Sequence, residues 1–533
     1  MQLRPVARPV LRPALATIGL LAGTLVALSG PSAEAASARY EAESSPAVCT
    51  GTIDSDRSGY SGSGFCNGTN ATGAYAQFTV NAASAGQATL SIRFANGTAS
   101  ARPASLIVNG TTVQTPSFEG TGAWTTWVTE TVTVPLAAGA NTVRLSPTTS
   151  AGLPNLDYLD VTTADSTPQP TGAVLYVAPN GTDGAAGTQS APTTLPSAIS
   201  RITPGGTIYL RGGTYGYTTT VTIPQGSGGT SAARTTLSAY PGETPVLNFA
   251  AQTEDPAHRG LQLFGSYWRL YGLVVEHAGD NGIYVGGSHN VVERTVTRFN
   301  RDTGLQLGRI ASTTPKDQWP SDNLILSAES HDNADSDGED ADGFAAKLTT
   351  GTGNVFRYAV SHNNIDDGWD LYTKTDTGAI GPVTIEYSLS YNNGTLSDGT
   401  VNSNGDRNGY KLGGDDIAVD HVVRHSIAYK NGKHGFTYNS NPGSMTVSSN
   451  VGVDNAQRNF SWDTGTSVFR DNTSCRFTVS GSNDKTVGDA DVSNQFWTGA
   501  NGSRCSAYSG ALGWSFASDG HLVVTFGGKV VTP

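Results

Sequence analysis

Four aspartates and one lysine are the residues whose types and spacing could support chemistry in this sequence of 533 residues. They are Asp342, Asp366, Asp367, Asp370 and Lys411, and each lies in or beside a segment in which a bulky apolar residue follows a glycine. Several carboxylates with no Cys or His among them favour a hard, oxygen-liganded cation, and Ca²⁺ is the usual one. The spacing therefore predicts an exposed metal site with a lysine beside it. A cluster of acidic turns without a metal is the alternative.

The glycine-apolar segment recurs along the chain and indicates which elements must position these side chains. The glycines of the repeat are Gly282, Gly304, Gly343, Gly368, Gly409 and Gly435. They are 22, 39, 25, 41 and 26 residues apart. A period in this range predicts the stacked coils of a parallel β-solenoid, with loops of about fifteen residues inserted in the two longer intervals.

The register of the repeat predicts which side chains meet. Side chains alternate along a strand, so the residues one and three positions after each glycine face the interior, and the residue between them faces outward. Asp370 and Lys411 are then outward neighbours on adjacent coils, about 5 Å apart along the stack. The position before the glycine makes Asp342 and Asp367 stacked neighbours. Like charges this close repel each other unless a cation holds them.

The N-terminal residues and the net charge limit the classes of protein to which this sequence can belong. Residues 1–35 resemble a secretory signal, because three arginines precede an apolar stretch over 14–28 and Ala33-Glu34-Ala35 offers a cleavage site. We therefore expect a secreted, extracellular protein, and we expect it to be a monomer. The net charge of −12 argues against nucleic acid or an anionic membrane as a partner.

Four cysteines form two pairs that are close in sequence, Cys49 with Cys66 and Cys475 with Cys505. An even number of cysteines in an exported protein predicts two disulfide bonds.

The chain is predicted to be all-β, with a β-sandwich (jelly roll) followed by a right-handed parallel β-helix. Short strands separated by polar turns predict the sandwich over residues 36–163. Residues 164–172 read as a linker. The β-helix is expected over 173–533, with an amphipathic helix at 195–202 closing its first coil and a C-terminal cap over 466–533.

The segments around Asp342, Asp366-Asp367-Gly368-Trp369-Asp370 and Asn408-Gly409-Tyr410-Lys411 resemble pectate lyases of polysaccharide lyase family 9. The resemblance covers most of residues 173–533. It implies that the four aspartates bind Ca²⁺ and that Lys411 is the catalytic base, removing the C5 proton of a 1,4-linked galacturonate during β-elimination. The partner implied is pectin or polygalacturonate.

Residues 38–163 resemble a carbohydrate-binding module of family 35, or of the related family 6. Tyr40-Glu41-Ala42-Glu43 matches the first strand of that family, and the segment from Asn155 to Val161 matches the last. The resemblance implies a structural Ca²⁺ held by Glu41, Glu43 and Asp157, with Asp160 as a possible substitute. Asn155, Tyr60 and Trp124 are the implied sugar contacts.

Two arginines are further candidates for binding substrate carboxylates. Arg407 precedes the lysine segment, and Arg458 lies about one coil after His434. Three other functions remain open at this point: a β-helical hydrolase of the polygalacturonase type, a lyase acting on another uronate polymer, and a non-catalytic polysaccharide-binding protein. Hydrolysis needs an acid and a base that flank the glycosidic bond and no metal, so the aspartate cluster with Lys411 favours elimination.

Overall fold

The computed structural model describes residues 37–82, 86–137, 139–163 and 173–531. The chain divides into two compact units, Met1–Ser166 and Thr167–Pro533. The predicted signal at 1–35 and the predicted linker at 164–172 lie outside the described residues. No helix in the described ranges is long and apolar enough to span a membrane.

The N-terminal unit is a sandwich of two antiparallel sheets of six strands. The strands of the first sheet are Ser37–Glu41, Gly51–Asp54, Phe65–Gly68, Gly86–Ala95, Val128–Leu136 and Asn155–Thr163. Those of the second are Val48–Cys49, Ala76–Ala82, Arg102–Val108, Thr111–Gln114, Ser117–Phe118 and Gly139–Pro147. Alternate residues along the strands form the core between the sheets. The predicted disulfide bond Cys49–Cys66 joins the two sheets and is confirmed.

The C-terminal unit is a parallel β-helix of three sheets, called sheets 1, 2 and 3. The strands of sheet 1 are Val174–Val177, Thr207–Leu210, Thr235–Ala239, Trp268–Tyr271, Val291–Glu293, Leu324–Leu326, Asn354–Arg357, Val383–Glu386, Val422–Arg424, Thr446–Ser448, Val468–Arg470 and Asp489–Ala490. The strands of sheet 2 are Gly213–Gly216, Pro245–Asn248, Val274–Glu276, Val296–Arg298, Glu329–His331, Val360–His362, Leu389–Tyr391, Ile427–Tyr429, Val451–Val453 and Thr473–Cys475. The strands of sheet 3 are Val221–Ile223, Leu261–Leu263, Ile283–Val285, Leu305–Leu307, Phe344–Ala346, Trp369–Asp370, Tyr410–Lys411, Phe436–Thr437, Phe460–Trp462 and Lys485–Thr486.

Stacked side chains inside the coils hold sheet 3 in register. The predicted interior column forms an aromatic stack whose successive ring centroids are 4.7–5.0 Å apart. Its members are Phe344, Trp369, Tyr410 and Phe436 of the predicted repeat, and Phe460 of the next coil. A ladder of buried asparagines, which includes Asn300 and Asn431, runs beside it, and its side-chain oxygens accept hydrogen bonds from backbone N–H groups at the bends.

Both ends of the β-helix are closed. The predicted helix is present at Leu195–Arg201, and the Thr194 side chain caps its first turn. The predicted start of the C-terminal cap at 466 is wrong, because strands up to Asp489–Ala490 continue the three sheets. The glycine of the repeat is replaced by Asn459 in this region, and Asn459 itself joins the asparagine ladder, so stacking continues without the sequence signal.

The cap follows the last coil. It consists of the 3₁₀ helix Ser503–Tyr508 and a three-stranded antiparallel sheet, Leu512–Phe516, Leu522–Phe526 and Lys529–Val531. The predicted disulfide bond Cys475–Cys505 joins the last strand of sheet 2 to the 3₁₀ helix and is confirmed. A further 3₁₀ turn, Lys316–Gln318, lies in the first inserted loop.

Candidate functional site

Sheet 3 positions the central residues of the candidate site. Asp370 and Lys411 are paired neighbours on adjacent parallel strands, and Ala345 occupies the same position one coil earlier. The predicted register of the outward column is therefore confirmed. Trp369 and Tyr410, the residues before them, stack inside the coil and leave Asp370 and Lys411 on the outer face.

Three of the four predicted metal ligands converge on one point. Asp342, Asp366 and Asp367 each offer a carboxylate oxygen, and these oxygens all lie within 4.8 Å of one another. Asp370 lies outside this trio, but its Oδ2 is 3.8 Å from Lys411 Nζ. The aspartates are between 0% and 4% exposed, so the prediction of an exposed patch is wrong.

The second inserted loop, which lies in the long interval between Gly368 and Gly409, explains the burial of the site. The backbone N–H groups of Asp406 and Arg407 donate to Asp366 Oδ1, at 2.5 and 3.1 Å. The N–H of Asn408 donates to Asp367 Oδ1 at 2.5 Å. The end of this loop therefore lies against the cluster and orients two of the carboxylates.

The donor set suits a hard cation. Asp367 Oδ2 is fully buried and accepts no hydrogen bond, and Lys411 Nζ lies 3.3 Å from it. Burying a carboxylate oxygen without hydrogen bonds is costly unless cations compensate its charge. All the converging donors are carboxylate oxygens, which is the ligand type that Ca²⁺ and Mg²⁺ select. The residues present therefore fit a divalent, oxygen-liganded metal.

Sequence reasoning missed two charged residues at the site. Lys347 Nζ lies 2.8 Å from Asp342 Oδ2 and 3.4 Å from Asp370 Oδ2. Lys347 comes two residues after the outward position Ala345, so strand alternation could have indicated it. Asp406 Oδ2 lies 3.2 Å from Lys411 Nζ. No repeat signal marks Asp406, because it comes from an inserted loop.

Lys411 lies at the centre of this charge network. Its Nζ is 3.3 Å from Asp367 Oδ2, 3.2 Å from Asp406 Oδ2 and 3.8 Å from Asp370 Oδ2. The other oxygen of Asp406, Oδ1, lies 2.5 Å from Lys433 Nζ. Counted formally with every group ionised, these five carboxylates and three ammonium groups leave two negative charges in excess.

The protonation states of the cluster follow from burial and from like charges. Burial, together with Asp367 and Asp342, raises the pKa of Asp366 to about 10. Burial and Asp370 raise the pKa of Asp367 to about 6, although Lys411 acts to lower it. Burial acts to lower the pKa of Lys411, but the surrounding aspartates outweigh it and raise this pKa well above its usual value. Without a metal, Asp366 therefore holds a proton and Lys411 is an ammonium at neutral pH.

The two candidate arginines contact the site differently. Arg407 reaches the cluster through its backbone, while its side chain packs against Gly394 and Gly432 and its Nε is buried without a hydrogen bond. Arg458 donates its N–H to His434 Nδ1 at 3.2 Å and its Nε to the carbonyl of Asn483 at 3.0 Å. Burial, Lys433 and Arg458 lower the pKa of His434 to about 4, so this histidine is neutral above that pH.

The predicted ligands of the N-terminal unit lie around one turn. The Ser61 hydroxyl donates to Glu41 at 2.8 Å, the Ser63 N–H donates to Glu43 at 2.8 Å, and the Ser61 N–H donates to Asp157 at 2.9 Å. Glu43 Oε2 is buried without a hydrogen bond. The structure thus brings Glu41, Glu43 and Asp157 to the same turn.

Two arginines pair with acids near this turn. Arg93 pairs with Asp157 at 2.5 Å. Arg39 binds both oxygens of Asp160, at 2.8 and 2.9 Å, on the neighbouring strand. Asp160 is therefore engaged away from the turn.

The predicted sugar contacts have distinct surroundings. Tyr60 packs on Phe65, with ring centroids 5.7 Å apart. Asn155 is buried at the start of its strand. The guanidinium carbon of Arg102 lies 5.1 Å from the ring centroid of Trp124. Sequence reasoning missed Arg102.

Fold and site together define the class of protein: a parallel β-helix with a buried aspartate-lysine site on one sheet, preceded by a β-sandwich. Residues 175–472 match the family described as Pel9A-like, right-handed beta helix region. Residues 41–163 match carbohydrate binding module family 6. The chain belongs to the Pel9A-like right-handed β-helix family, and it is a polysaccharide lyase that carries a carbohydrate-binding module.

Individual relatives agree with this assignment. The chain is 55% identical over 340 residues to pectate lyase L of Paenibacillus polymyxa (strain SC2), covering 62% of this chain and 75% of the relative. It is 45% identical over 299 residues to pectate lyase L of Thermoclostridium stercorarium, covering 56% of this chain but 24% of that protein. The crystal structure of pectate lyase Pel9A is 30% identical, with a TM-score of 0.55, over 65% of this chain and 86% of that one.

Proposed function

We propose that this chain is a secreted, calcium-dependent enzyme that cleaves polygalacturonate by β-elimination and acts as a monomer. The observation that carries the proposal is the pairing of Lys411 with Asp370 beside the converging Asp342, Asp366 and Asp367. The names of its relatives as pectate lyases support the choice of polymer.

The metal would be held by Asp342, Asp366 and Asp367, with Asp370 beside them. Bound there, Ca²⁺ would act as a Lewis acid that offsets the charge developing next to the substrate carboxylate. The buried Asp367 Oδ2, which accepts no hydrogen bond, and the formal excess of negative charge support this ligand set.

Lys411 is the proposed base, and its Nζ would accept the C5 proton. An amine can do this only in its neutral form. The carboxylates around Nζ oppose that form, so the base becomes competent when a cation on the same carboxylates cancels their effect. The Lys411 side chain is 11% exposed and lies on the outer face of sheet 3, where the substrate would bind.

Cations beside the aspartates would bind the carboxylates of neighbouring sugars. A pocket of about 300 Å³ lies on sheet 3, before the aspartates in coil order, and is lined by Tyr284, Arg309 and Lys347. Arg309 makes no ion pair with any described residue, so its planar guanidinium is available for a carboxylate. Lys433 and Arg458 come from the coils after Lys411. This arrangement suits a polyanionic chain.

The test is ultraviolet absorbance during incubation with polygalacturonate, first with Ca²⁺ and then with chelator. The expected result is rising absorbance, from the unsaturated product ends, that the chelator stops. Lys411→Ala should abolish it, while Lys374→Ala, which changes an exposed lysine of the same unit, should not. New reducing ends without absorbance would indicate hydrolysis and overturn the proposal. Absorbance with a different uronate polymer alone would correct the substrate.

A further inference from the structure

A second pocket, of about 750 Å³, opens on the β-helix away from the aspartate cluster. It is formed by the outer face of sheet 2 and by the C-terminal cap, and it shares no lining residue with the aspartate site. Its volume falls in the range of about 300–1,000 Å³ that is usual for small-molecule sites.

Aromatic side chains form the walls of this pocket. Tyr391 and Tyr429 are paired neighbours on adjacent strands of sheet 2; the Tyr391 ring stacks on His362, and the Tyr429 ring packs edge-on against Phe526 of the cap. Trp514 of the cap faces them and donates its Nε1–H to the Tyr391 hydroxyl at 3.1 Å. Phe477 lies at the rim and is 43% exposed. Flat aromatic surfaces of this kind pack against the apolar C–H faces of sugar rings.

The charged side chains of the pocket indicate whether its ligand is an anion or a cation. Lys430 lines the pocket, is exposed, and lies within ion-pair distance of no described carboxylate. Asp454 also lines the pocket but is 3% exposed. Its carboxylate accepts hydrogen bonds from the N–H groups of Phe477 and Thr478 and from the Thr478 hydroxyl. The pocket therefore presents one available positive charge on a protein whose net charge is −12.

We propose that this pocket binds an acidic oligosaccharide, with a sugar ring against the aromatic walls and a uronate carboxylate on Lys430. Neutral sugars could use the rings but not the ammonium group, so the charge defines the ligand class. Such a site would hold a uronate polymer on the catalytic unit at a place separate from the reacting residues.

Labelling with a photoreactive oligogalacturonate tests the proposal, because it shows where on the protein the oligosaccharide binds. The full chain is labelled in chelator, so that no turnover occurs, and the labelled peptides are mapped by mass spectrometry. We expect label within 477–479 or 508–514, in addition to any label in the N-terminal module or along sheet 3. Lys430→Ala should reduce the pocket label about tenfold and leave the other labels unchanged. Lys529→Ala, which removes an exposed cap lysine outside the pocket, is the matched control.

A second pair of variants guards against an effect on folding. Phe477→Ala should also weaken the pocket label, whereas Phe299→Ala, at a comparably exposed phenylalanine elsewhere on the β-helix, should not. A neutral oligosaccharide of the same length should fail to displace the label. Absence of label from the pocket, or equal label in wild type and Lys430→Ala, would overturn the proposal. Labelling needs no catalysis, so this outcome is independent of the proposed lyase activity.

Discussion

Replacing Asp367 by asparagine should make the metal-free protein more stable and the calcium-bound protein less so. Asp367 is fully buried, and its Oδ2 accepts no hydrogen bond. Its other oxygen accepts two hydrogen bonds from Asn408, which an asparagine oxygen can still accept. Asp367→Asn therefore removes a buried charge and keeps most of the local hydrogen bonding.

The magnitude follows from the pKa of this carboxyl, which is raised from 3.8 to about 6. A shift of about two pKa units means that ionised Asp367 destabilises the folded wild type by about 3 kcal/mol at pH 7. This shift already includes the opposing effect of Lys411, which keeps Asp370 and Asp406 as partners in the variant. We expect the variant to be more stable by about 3 kcal/mol in chelator at pH 7. The folded wild type takes up a proton below about pH 6, so this advantage should shrink as the pH falls toward 4.

Chemical unfolding of wild type and variant, in chelator and in Ca²⁺, measures both effects. The relevant transition is the one that Ca²⁺ shifts in the wild type, because a ligand that binds only the folded state stabilises that state. Asp416→Asn is the matched control, since Asp416 is exposed on the same unit. A variant that is less stable than wild type in chelator would refute the reasoning and would make Asp367 a structural partner of Lys411. Equal stabilisation of both proteins by Ca²⁺ would remove Asp367 from the ligand set.

Four further expectations test the site and its setting. Lys411→Arg should reduce the elimination rate by at least about a hundredfold, because a guanidinium keeps its proton; near-wild-type turnover would exclude Lys411 as the base. Calcium binding at pH 7.5 should release at least one proton, because the pKa of Asp366 is about 10 without metal and burial also raises the pKa of Asp342; calorimetry in two buffers of different ionisation enthalpy would detect the release. Lys347→Met should destabilise the metal-free protein by about 3–5 kcal/mol, because Asp342 loses its ammonium partner, and unchanged unfolding in chelator would contradict this. Burial lowers the pKa of His421 to about 3, so below pH 6.5 the unfolded chain binds a proton that the folded chain does not, and the folded state loses stability as the pH falls. His421→Asn should therefore lose about 3 kcal/mol less unfolding free energy than wild type between pH 7 and pH 4.5. An equal loss of unfolding free energy in both proteins would count against this role of His421.

The repeat could be predicted from the sequence because its glycines are a steric requirement of the stack. A Cβ at Gly368 would come within 2.5 Å of the Gly409 carbonyl and 2.8 Å of Asn393 Nδ2 in the asparagine ladder. A side chain at Gly368 would clash with these atoms, so the spacing of such glycines records the length of each coil. Strand alternation then fixes the register, which is why Asp370 and Lys411 could be placed side by side without coordinates.

The limits of the repeat appear where another residue type meets the same requirement. Asn459 replaces the glycine and supplies the ladder amide from its own side chain. The coils therefore continue to Asp489–Ala490, although the pattern in the sequence stops earlier.

The sequence by itself determined the stacked coils, their register, the two disulfide pairs and the grouping of the four aspartates with Lys411, since all of these depend on local spacing. Only the tertiary structure decided that the cluster is buried and that Asp406 reaches Lys411. The reason is physical: the path of an inserted loop depends on contacts with distant coils, and no periodicity in the chain records those contacts.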